Sequence, residues 1–194
     1  NDLRDRTVMD LANVGTATLT FLALLKEMGV AEDVRLLPAS LPEGEALEAF
    51  VNGEGDFAIQ HLHAAAPALA RGDVFAVQDL ATPTGGVPWS AYIALPDVVE
   101  RRKADFQAFA RAMDYAFAWI AAHDGEEIAA LISYRFSGFT QTAMAMAIDH
   151  YRRVDLWAQN RTIPQRDFER FSDLLIESAW LAAPANYQML VRDP

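Results

Sequence analysis

Three short groups of residues carry side chains that could hold or transform a small molecule. The first, Ala12-Asn13-Val14-Gly15-Thr16-Ala17-Thr18, follows an apolar run at residues 7–11 and precedes an apolar-rich stretch at 19–28. It therefore falls where a strand's carboxyl end meets a helix amino end. Unsatisfied N–H groups and the positive end of the helix dipole favour a carboxylate, sulfonate, phosphate or nitrate at such a place. Asn13, Gly15, Thr16 and Thr18 are the ligand candidates, three of them adding side-chain donors. The same residue types cap a helix with no ligand present. The spacing is neither G-x-G-x-x-G nor G-x-x-x-x-G-K-[ST], so nucleotide binding is not indicated.

The second group is Gln60-His61-Leu62-His63, directly after the apolar segment Phe57-Ala58-Ile59. On a continuing strand His61 and His63 would share a face and could grip a metal. Two ligands do not complete a site, and no Cys or helical His-Glu pair stands by to add to them. The expectation is therefore no metal and no cofactor, with Gln60 and His61 offering hydrogen bonds to a ligand. The third group, Thr82, Thr84, Trp89, Ser90 and Tyr92, mixes hydroxyls with aromatic faces around the proline- and glycine-rich run Thr82-Pro83-Thr84-Gly85-Gly86-Val87-Pro88. Clefts between lobes are commonly lined in this way, although Trp89 and Tyr92 also read as packing residues. No Ser-His-Asp arrangement stands out, and the only lysines are Lys26 and Lys103. Glu126-Glu127 suits a helix start better than acid–base chemistry.

Composition narrows the classes further. The 194 residues carry 16 basic and 27 acidic side chains, a net charge of −11, which repels nucleic acid and anionic membrane. The charge is uneven: residues 1–97 hold five basic and fourteen acidic groups, or −9, and residues 98–194 hold eleven and thirteen, or −2. Two differently built halves follow from that asymmetry. With 52% apolar residues the chain is rich enough to fold around a core, and no apolar stretch approaches membrane-spanning length. The absence of Cys fits either an exported protein without bridges or a cytosolic one.

The elements that must position these groups alternate through the first half. Strands are expected at 7–11, 34–37, 56–60 and 74–77, and helices at 19–28, 42–51 and 63–70. Gly29, Asn52-Gly53 and Gly72 supply the stops. Such alternation implies a parallel sheet covered by helices. Residues 90–95 read as one more strand, and helices are expected at 98–123, capped by Asp97, then at 125–134, 139–152 and 164–178, with a last turn from Pro184. Met144, Met146 and Ile148, with Trp119, Trp157 and Trp180, read as core. His123 and His150 lie at helix ends and read as structural.

The order of features, Leu3-Arg4-Asp5-Arg6-Thr7-Val8, Asn13-Val14-Gly15-Thr16-Ala17-Thr18, Met28-Gly29-Val30, then Gly53-Glu54-Gly55-Asp56-Phe57-Ala58, resembles the substrate-binding proteins of ABC importers for sulfonates, taurine, nitrate and thiamine-type pyrimidines. Phe117-Ala118-Trp119-Ile120, His150-Tyr151, Trp157 and Phe168 continue the likeness, while Arg4-Asp5-Arg6 departs from the gly-lys the family often has. The resemblance implies an α/β, two-lobed periplasmic-binding-protein-like (type II) fold closing on a small ligand. Residues 1–82 would be a complete second lobe, 83–95 the crossover hinge, and 96–194 only the C-terminal helical half of the first lobe.

By the same resemblance Asn13, Gly15, Thr16 and Thr18 would hold the ligand's polar end, Gln60 and His61 the opposite wall, and Thr84 and Trp89 the hinge side. A small anionic or heteroaromatic ligand and an ABC permease would be the partners, in a periplasmic or lipid-anchored extracytoplasmic setting. The alternatives are an enzyme on the same fold, making thiamine pyrimidine or dehydrating a chorismate-derived acid with Asp10 or His61 as base, and a cytosolic sensor domain fused to a transporter ATPase. The family's opening strand–helix units are not in this sequence, so the apolar stripes of residues 90–194 are expected to be covered by self-association or by a preceding segment.

Overall fold

The computed structural model describes residues 2–11, 15–38, 41–136 and 138–192. It is a mixed α/β fold, mostly helical, with a small parallel sheet of three strands in the order β2-β1-β3. The strands are β1 (Arg6–Asp10), β2 (Val34–Pro38) and β3 (Phe57–Ile59). Thr7 of β1 pairs with Arg35, and Asp10 pairs with both Pro38 and Ile59. Helices α1 (Gly15–Glu27), α2 (Glu43–Val51) and α3 (Leu62–Arg71) link and follow these strands.

Period-2 alternation along β1 sends its side chains to two helical layers. Val8 points into a core with Ala17, Phe21, Leu25, Val30 and Ile59, beneath α1. Met9 and Leu11 pack with Ala46, Leu47 and Phe50 beneath α2. Helix α1 ends where its glycine predicts. Gly29 takes a φ of 65°, its N–H bonds Lys26 O and the Val30 N–H bonds Leu25 O, both at 3.0 Å. This is the paired bonding of a Schellman stop, with Val30 folding back onto Leu25 in the core.

The second half is helical: α4 (Ala81–Thr84), α5 (Pro96–Arg101), α6 (Lys103–Ala122), α7 (Gly125–Ile132), α8 (Gln141–Arg153), α9 (Gln165–Glu177) and α10 (Tyr187–Leu190). Helices α7 and α8 make the most extensive helix–helix contact and share a core of Ile128, Ala129, Met144, Ala145 and Ile148. Glu126-Glu127 falls in a capping box. The Glu127 N–H donates to the Asp124 side chain at 2.9 Å, and the Glu127 carboxylate accepts the Asp124 N–H at 3.1 Å. Contacts of α3 with α8 and of α1 with α9 join the two halves.

The structure departs from the sequence reading at several points. Neither 74–77 nor 90–95 is a strand. Their apolar residues carry the signature of buried strands, but a ladder needs a neighbour, and none of the described residues supplies one. The expected helix at 98–123 is two helices broken at Arg102, and Asp97 does not cap it. Pro96 opens α5, so Asp97 lies in the first turn and pairs with Arg101 at 3.1 Å. Met146 is exposed, because two residues beyond Met144 is the far side of a helix, and Trp180 is exposed beyond the end of α9.

Candidate functional site

Parallel strands deliver both of the predicted polar groups to one edge of the sheet. The Leu11 N–H donates to Ile59 O at 3.0 Å, so the chain leaving β1 toward α1 and the chain leaving β3 toward α3 emerge side by side. In the order β2-β1-β3 the chain runs from β1 to one neighbour and returns to the other. The opening between β1 and β3 at their carboxyl ends is thus the switch point at which open α/β sheets hold ligands.

On the β1 side, Asp10 is buried at the strand's end and accepts the hydroxyl of Thr18, fixing the first turns of α1 to the sheet. Asn13 lies outside the described residues. Gly15 opens α1, with Thr16 half-buried beside it. A Cβ on Gly15 would stand 2.8 Å from the ring of Trp180, so the indole rests against the helix start where a larger residue would displace it. Gly15, Thr18, Leu22, Lys26 and Trp180 line a groove of about 340 Å³ between α1 and α9, bridged by Lys26 and Glu177 at 2.8 Å.

Trp180, which the sequence marks as core, lies instead at the surface against the start of α1. It follows Ala179, whose left-handed φ of 59° ends α9 through the same two bonds that end α1, from Ala179 N–H to Ile176 O and from Trp180 N–H to Leu175 O. No glycine marks that stop, so the sequence does not reveal where the chain turns the indole.

On the β3 side, the Gln60 Oε1 accepts the His61 N–H at 2.7 Å, which orients the amide. Its Nε2 is shielded from solvent and meets no hydrogen-bond partner among the described residues. A shielded donor of this kind is costly unless something accepts from it. The rings of His61 and His63 stack 5.3 Å apart, and Trp89 meets His61 edge-on at 5.8 Å. Of the residues expected at the opposite wall and at the hinge, His61 and Trp89 therefore meet. Thr84 does not join them: its hydroxyl is buried and donates to Leu80 O within α4.

Tyr151 completes this cluster from the helical half. Its hydroxyl oxygen accepts the His63 N–H at 3.1 Å and lies 3.1 Å from His63 Nδ1. Tyr151 shares a helix face with Met144 and Ile148, at spacings of four and three, so the sequence marks it as inward-facing without naming what it meets. Burial pushes its hydroxyl above the usual tyrosine range, outweighing the bonds from the His63 and Leu62 N–H groups.

Two results follow from this joint. Tyr151→Phe is expected to cost about 1–3 kcal/mol in urea unfolding, because the His63 N–H loses this acceptor in a half-buried position. A phenol raised in the folded state stabilises fully below its unfolded value near 10 and loses that contribution as the pH rises through the folded value. The melting temperature of the wild type should therefore fall more steeply above pH ~10 than that of Tyr151→Phe. Parallel alkaline profiles would remove Tyr151 from the account.

A larger groove of about 610 Å³, with none of these residues in its lining, lies between the end of α6 and α8 and is lined by Phe117, Asp149, Arg152 and Trp157. Its charged groups are mostly committed to the fold. Arg152 donates to His123 O at 2.6 Å, and Asp149 accepts the Gly125 N–H at 2.9 Å. No cluster of three or more His, Asp or Glu side chains suited to a metal occurs among the described residues. No helix among them is long and apolar enough to cross a membrane. No family model, curated protein or solved structure matches the chain.

Proposed function

We propose that the chain is the solute-binding component of an ABC importer, capturing a small anionic or heteroaromatic molecule of the sulfonate, nitrate or pyrimidine type. In this reading it has the two-lobed type II arrangement. Residues 1–82 form one lobe, 83–95 the hinge, and 96–194 the helical part of the other, in a periplasmic or lipid-anchored setting beside a permease. The observation that carries it is the shielded Nε2 of Gln60, which meets no hydrogen-bond partner among the described residues, directly after β3 and before the stacked rings of His61 and His63. A donor awaiting an acceptor suits an oxygen-bearing solute, and the imidazole and indole rings that meet at His61 offer flat faces to a planar one.

Isothermal titration against alkanesulfonates, nitrate and an aminopyrimidine is expected to find one ligand binding below about 100 µM, equivalent to roughly 5.5 kcal/mol. Gln60→Leu should weaken that binding at least about tenfold, since it keeps the volume and removes the donor. Failure of every class to bind would remove the proposal's support.

The alternative enzyme on this fold draws on Asp10, whose buried carboxylate sits at the strand's end within the same opening. Product formed by the wild type, and lost in His61→Ala while binding persists, would favour that reading over simple capture.

A further inference from the structure

Residues 80–96 are the longest run of this chain without a charged side chain, bounded by Asp79 and Asp97. Within the run, none of the backbone N–H or C=O groups of residues 86–94 is hydrogen-bonded among the described residues. The side chains are equally uncommitted: Ile93 is 94% exposed, Tyr92 79% and Leu95 68%. Tyr92 meets only the edge of Phe109 on α6, at 4.9 Å. Residues 90–94, uncharged, with the strand formers Tyr92 and Ile93 between small residues and with a free backbone, are a template for strand pairing.

We propose that this strip is the interface of a homodimer, in which residues 90–94 pair antiparallel with the same residues of a second copy about a two-fold axis. The strip lies within the hinge of the solute-binding reading, but the inference is argued from its free backbone and exposed side chains and does not rest on that reading. A perpendicular two-fold sets equivalent residues opposite one another. Centred on Tyr92, it places Tyr92 against Tyr92 of the partner subunit and Ala91 against Ile93 of the partner subunit. An aromatic pair then forms on the face already occupied by Phe109, small opposes large on the other face, and no like charges meet.

The area is of the right order. Taking 150–250 Å² for a fully exposed side chain of this size, Tyr92, Ile93, Leu95 and Phe109 present about 500 Å² per copy, within the range of the largest patch that a monomer leaves bare. A stable interface takes roughly 800 Å² from each partner, and the paired backbone adds to the strip. The charge-free run also matters for a chain carrying −11, because two copies repel except where charge is missing.

Sedimentation equilibrium of the full chain tests this. The wild type is expected to reach the mass of two chains and no more by about 100 µM, with tighter association as salt screens the repulsion. Ile93→Lys, at a side chain nearly free of contacts, should weaken association at least about tenfold with an unchanged circular dichroism spectrum. Met146→Lys alters another exposed apolar residue outside the strip and should leave the dimer intact. A one-chain mass at every concentration would overturn the proposal, as it would if the strip served a different protein. Open-ended aggregation, or equal effects of the two lysine variants, would overturn it as well.

Discussion

Leu25→Ala is expected to lower the unfolding free energy by about 2–5 kcal/mol, among the largest losses open to a single substitution here. Leu25 is 1% exposed, in the core with Val8, Phe21, Val30 and Ile59. It is also the residue whose carbonyl receives the Val30 N–H in the turn that ends α1. Truncation removes the transfer energy of the buried methyls and leaves a cavity. It also removes the apolar contact with which Val30 locks the helix stop. Because α1 is one helix, loosening at Leu25 is felt at its other end, where Thr18 holds Asp10 and Gly15 meets Trp180. Urea unfolding gives the stability change. A loss below about 1 kcal/mol would mean that α1 is not held through this core.

The first half was legible because its signals are local. Gly29 and Gly72 stop helices by adopting a left-handed φ, and the apolar runs ending at Asp10 and Ile59 stop at the sheet's carboxyl edge, where the polar residues begin. Gln60 and His61 were recoverable for the same reason, since both follow a strand directly, whereas nothing in the sequence says that Trp89 meets His61. The 74–77 and 90–95 segments were not. Apolar composition says that a segment suits a buried ladder, but the neighbour that completes it is specified elsewhere. Tyr151 and Trp180 illustrate the other limit. Helical spacing shows that Tyr151 faces inward, yet only the docking of α8 on α3 brings it to His63. Trp180 depends on Ala179 adopting a conformation that its residue type disfavours.

The second large effect lies in the helical half, at Gly125→Ala. A Cβ there would stand 2.6 Å from Ala145 O and 2.6 Å from the Asp149 carboxylate. The carboxylate can rotate, but the carbonyl belongs to the backbone of α8 and cannot. Helices α7 and α8 must therefore separate, opening a core built from small residues, Ala129 and Ala145, that permit close approach. The shift also stretches the bond from the Gly125 N–H to Asp149, 2.9 Å long in the native fold. Overpacking of this kind costs about 1–3 kcal/mol, and a strained backbone contact belongs at the upper end. Tyr151 sits two residues beyond Asp149 on the same helix, so its contact with His63 should loosen in step. The alkaline loss of stability assigned to Tyr151 should then shrink in Gly125→Ala as it does in Tyr151→Phe. A variant that melts with the wild type and keeps its alkaline profile would show that α7 can back away from α8 without disturbing the joint between the halves.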